Sequence, residues 1–147
     1  MPVMRASLED REVHHWLLTA EAKDITCWRR VVAQSLRGWQ APVTSVELAC
    51  LGVSELLANV IRHVADRRCR LEVSRTGGSA LVSVFDRSRA LPDVATPSWS
   101  AERGRGLWLL REMAGAEELG FRFAAEPWGK VVWLRCCLAS TSEVAAP

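Results

Sequence analysis

The chain has 147 residues and a formal net charge of +2, which suits one domain with a core large enough to fold without disulfide or metal staples. With 49% apolar and 24% charged residues the balance is that of an ordinary soluble protein. So small a charge argues against nucleic acid or an anionic membrane as a direct partner, and no apolar run reaches the roughly 18 residues a membrane span needs.

Residues 1–10 are expected to be a loose start and 139–147 a flexible tail, framing a domain at 11–138. Glu12 to Thr19 reads as a short strand. From Ala20 to Trp39 the pattern is helical, with Ile25, Trp28, Val32 and Leu36 at three- and four-residue spacing. Pro42 suits the first turn of a second helix, Val43 to Ala65. On that helix Cys50, Val53, Leu56, Leu57, Val60, Ile61 and Val64 cover one broad arc. Arg70–Arg75 and Ala80–Asp86 alternate around Thr76-Gly77-Gly78-Ser79, a hairpin signal. Arg87 to Arg103 reads as a loop, Gly106 to Ala114 as a short helix stopped by Gly115. Glu118–Ala124 and Lys130–Leu138 form a second expected hairpin. Antiparallel strand pairs with helices between them predict an α+β sandwich with helices on one sheet face.

Five cysteines (Cys27, Cys50, Cys69, Cys136, Cys137) are odd in number and include no CxxC pair. Small thiols in a reducing cytoplasm fit this better than a disulfide or zinc site. The first ten residues also lack the apolar stretch of a secretory signal, so a cytoplasmic location is expected. Lys23 and Lys130 are the only lysines among the basic residues. Of the seven tryptophans, Trp16, Trp28, Trp108 and Trp133 fall on apolar positions and suit a core. Trp39, Trp99 and Trp128 fall in or near loops, where an exposed ring can anchor a partner.

Three features carry chemistry. Glu55, Asn59 and His63 stand at i, i+4 and i+8, in one line along the second helix. An amide oxygen is a neutral hard ligand for Mg²⁺, and a carboxylate one turn away can orient or deprotonate a hydroxyl. A solvated polar face explains the same stripe in structural terms. Asp86 ends an apolar strand, where its carboxylate can accept a hydrogen bond from an exocyclic amine or simply start a turn. Gly104-Arg105-Gly106 precedes Leu107, and a helix N-terminus there presents unpaired N–H groups to an anion. The P-loop GK[ST] is absent.

Together, in this order and spacing, these pieces resemble the GHKL-type ATPase superfamily, and within it the anti-sigma-factor serine kinases. Ser54 to His63 is similar to the family's N-box. Phe85-Asp86 with Leu91-Pro92 resembles its first glycine box, Gly104-Arg105-Gly106-Leu107 its second, and Gly129 to Trp133 its closing strand. The resemblance implies a two-layer α/β sandwich of Bergerat type with a mixed, mostly antiparallel sheet. It implies ATP and Mg²⁺ as ligands, with Glu55 as general base and Asn59 on the metal. Asp86 would meet the adenine amine, and Gly104, Arg105, Gly106 and Leu107 the phosphates, under a lid at Arg87–Arg103. The implied partners are an anti-anti-sigma (STAS-type) protein as phosphoryl acceptor and a sequestered sigma factor, with a homodimer through Val13–Arg37. Two positions depart from the pattern: Arg87-Ser88-Arg89 replaces the glycines after Asp86, and Val131 stands where relatives carry threonine. The alternative they raise is a partner-binding module of the same fold with little or no nucleotide turnover.

Overall fold

In the computed structural model residues 11–90, 105–115 and 117–138 are described. Strand β1 (Glu12–Thr19) is followed by a single 3₁₀ turn (Ala22–Asp24) and helix α1 (Ile25–Gly38). Helix α2 (Val43–His63) leads into β2 (Arg68–Thr76) and β3 (Ser79–Asp86); α3 (Arg105–Ala114), β4 (Leu119–Phe123) and β5 (Lys130–Cys137) complete the domain. The sheet order is β1-β2-β3-β5-β4, and all four described pairings are antiparallel. The α+β expectation is met.

The boundaries differ from the sequence reading for local reasons. Helix α1 does not begin at Ala20, because the Ala20 N–H donates to Arg67 O at 2.7 Å and Glu21 is extended. Helix α2 ends at His63, two residues early, where Val64 turns extended and its side chain enters the core. Gly77, at φ +58°, makes the tight turn between β2 and β3.

The core lies between the helices and one sheet face. From β3 it takes Ala80, Val82 and Val84; from β5, Val132, Leu134 and Cys136; from α2, Val46, Ala49, Val53, Leu56, Leu57 and Val60. By length and hydropathy α2 could cross a membrane, yet half of its apolar window is buried inside the domain, and it is the core helix. Gly52 sets how tightly it sits: a Cβ there would come within 2.6 Å of Leu134 Cδ2, and Leu134 is fully buried.

Two tryptophans depart from expectation. Trp39 packs against the core, stacks on His14 at 5.2 Å and donates its indole N–H to Glu12 Oε2 at 3.0 Å. Trp133, placed in the core from sequence, points to the sheet face away from the helices and lies across Gly120, where a Cβ would strike its ring. The strand parity explains it: Val132 and Leu134 take the inward positions.

Candidate functional site

Helix α2 runs along β5 in the opposite sense. Ser45 Oγ–H donates to the Cys137 carbonyl, and seven residues on Gly52 meets Leu134. Another seven residues of helix cover about 10 Å, and the four residues of β5 back to Lys130 about 13 Å. The second half of α2, with Glu55 and Asn59, therefore reaches the end of the sheet where Asp86 and Lys130 lie.

Along the α2 stripe exposure is lowest in the middle. Asn59 is 6% exposed, Glu55 is half-buried and His63 faces solvent. Glu55 lies directly against Gly106, the second residue of α3: a Cβ built on that glycine would overlap the carboxylate. Two motifs separated by fifty residues thus meet at the N-terminal end of α3, the positive end of the helix dipole. Leu107 is 4% exposed and anchors α3 in the core; only its backbone N–H can serve a ligand. Gly104 and the Arg105 side chain lie outside the described residues, as do the lid beyond Ala90 and Trp99 within it.

Asp86 takes the turn-starting role among those weighed for it and gains a partner that was not foreseen. Its Oδ1 accepts the Ser88 N–H at 2.8 Å, the hydrogen bond of a turn-starting aspartate. The same oxygen accepts from Lys130 Nζ at 3.0 Å. Asp86 and Lys130 are direct cross-strand partners, 2% and 1% exposed. Lys130 was missed in the sequence, although one signal was there: a lysine opening an apolar strand of a chain whose only other lysine is Lys23.

Gly129 lies against the segment that follows Asp86. Its N–H donates to Asp86 O at 2.7 Å, and a Cβ there would stand 2.7 Å from the carbonyls of Arg87 and Ser88. The close backbone crossing is made from β5 rather than from the residues following β3. Val131, 1% exposed, pairs with Phe85 on the sheet face away from the helices.

Among the described residues no group of three His, Cys, Asp or Glu could hold a metal by itself. A single buried amide suits Mg²⁺ that arrives on phosphates and keeps most of its ligands from them and from water. The residues present therefore fit a nucleotide-borne ion. The three cavities described lie elsewhere. The largest, about 870 Å³, lies between the start of α2 and the end of α3 and is lined by none of the cluster. Two of the thiols are buried in the core: burial, with Asp86 and Asp66 adding, pushes Cys69 up to about 12. Burial first, then Glu118, does the same for Cys136.

No curated protein matches the sequence. Residues 18–136 match the histidine kinase-like ATPase domain, a span that takes in Glu55, Asn59, Asp86, the α3 turn and Lys130. The chain belongs to that family of ATP-binding domains.

Proposed function

We propose that this protein is a cytoplasmic anti-sigma-type regulator that binds Mg·ATP and phosphorylates a serine or threonine of an anti-anti-sigma (STAS-type) partner, with a sigma factor as its sequestered target. The observation that carries the reading is the contact between Glu55 and Gly106, which brings a carboxylate to the amide groups opening α3. In this reading those amides hold the terminal phosphates, Asn59 offers its oxygen to Mg²⁺, and Asp86 accepts from the base. Glu55 takes the proton of the acceptor hydroxyl; phosphoryl transfer otherwise asks mainly for positioning and charge neutralisation. ATP supplies the phosphoryl group.

Partner capture has a surface to support it. A groove of about 520 Å³ between α1 and α2 is lined by Arg29, Arg30 and Arg37 with Glu47 as the one carboxylate. Among the described residues none of the three arginines has a carboxylate within 4 Å. Such a groove complements an acidic segment of a partner protein. A homodimer through β1 and α1 belongs to the same reading: β1 is a sheet edge with Leu17 70% exposed.

Calorimetric titration with Mg·ATP, followed by transfer to the partner, tests the proposal. Binding is expected for the parent chain and for Glu55→Ala, with transfer lost in the latter. Absence of any heat at millimolar Mg·ATP would leave a module that works by partner capture alone.

A further inference from the structure

We propose that Lys130 is a base-reading residue: its ammonium, held beside the Asp86 carboxylate, donates to a ring nitrogen of the purine while Asp86 accepts from the neighbouring amine. The inference rests on the ATP-binding reading and adds a second base contact from this chain's own sequence.

The argument starts from the cost of the alternative. Lys130 and Asp86 are almost fully buried and joined at 3.0 Å. Driving the ammonium off so that the base alone could occupy Asp86 would strand a charge in the interior, which is strongly unfavourable. A ligand reaching Asp86 therefore meets the intact pair: an acceptor with a donor 3.0 Å away. An edge that complements it must offer a donor and an acceptor side by side. Adenine does so at its exocyclic amine, flanked by ring nitrogens N1 and N7.

The pair is also held in place for such a task. It bridges directly opposed residues of β3 and β5, so its spacing is set by the sheet. The Ser88 N–H fixes Asp86 Oδ1 at 2.8 Å, and the Gly129 N–H fixes the Asp86 carbonyl. Asp86 and Lys130 follow the inward positions of their strands, on the helix side of the sheet where Asn59 and Glu55 stand. Lysine is the suitable cation, a point charge whose donors swivel to a ring nitrogen, where arginine's planar fork would demand two acceptors.

The test is calorimetry of the full chain with Mg·ATP, Mg·1-deaza-ATP and Mg·7-deaza-ATP, repeated on Lys130→Met. One analogue is expected to bind the parent at least about tenfold more weakly than ATP, as for loss of a hydrogen bond to a charged group. Lys130→Met is expected to weaken ATP by a similar factor and to bind ATP and that analogue equally. Equal affinity of the parent for all three nucleotides overturns the inference, and needs no variant to fold. Discrimination that persists in Lys130→Met also overturns it. No binding of ATP itself by the parent refutes the underlying nucleotide reading instead.

Discussion

Gly106→Ala sets two opposing effects against each other. The new methyl would overlap the Glu55 carboxylate, so one of the two must move. Glu55 is half-buried and its side chain can swing to a poorer rotamer, at about 0.5–1.5 kcal/mol. Replacing glycine by alanine within a helix returns up to about 1 kcal/mol. The two nearly cancel, so the melting temperature is expected to change by no more than about 4 °C. Function responds differently. With Glu55 displaced from the start of α3, transfer to the partner is expected to fall by about 10²–10⁴, the range of a lost general base. The assay pairs thermal unfolding with phosphoryl transfer, and adds the double variant Gly106→Ala/Glu55→Ala. If the clash is the cause, removing Glu55 relieves it, and the two changes couple favourably in stability. Strict additivity, or full transfer activity in Gly106→Ala, would refute the reasoning.

Gly52→Ala should destabilise the domain by about 1–3 kcal/mol in urea unfolding, through overpacking against Leu134, a side chain with no room to withdraw. Asp86→Asn leaves the Lys130 ammonium buried without its carboxylate and should cost about 3–5 kcal/mol. Adding Lys130→Met should recover part of that loss, and a double-mutant cycle reads it. Thiol labelling of the folded chain at pH 8 should modify the exposed Cys27 and Cys137 and spare Cys69 and Cys136 until unfolding. Because folding raises those two buried thiols from 9.0 to about 12, the unfolded chain releases protons first. Stability should therefore fall as pH rises through 9 towards 12, with these two thiols adding nothing to its pH dependence below that window.

The elements that depend on periodicity were legible. The Glu12–Thr19 strand matches its prediction at both ends, and α2 and both hairpins fall within two residues of theirs. Trp133 was misplaced because apolar character alone does not say which sheet face a strand residue takes, and Val132 and Leu134 fill the inner one. The site was legible as separate motifs, not as an assembly. Nothing local in the sequence links Glu55 to Gly106. Asp86 and Lys130 lie 44 positions apart and meet only through the register of β3 on β5. Gly129 likewise was read as the start of the closing strand, whereas in the fold it lets two backbone segments cross.

The strand order has a consequence for biosynthesis. Strand β5 follows every other described strand and yet enters between β3 and β4. Until it emerges from the ribosome, β3 lacks its second neighbour and β4 has no partner at all, leaving open edges that invite mispairing. Asp86 is made early but waits for Lys130 to neutralise it. The Asp86–Lys130 pair cannot form piece by piece; it closes in one late step, when residues 130–137 zip into the sheet.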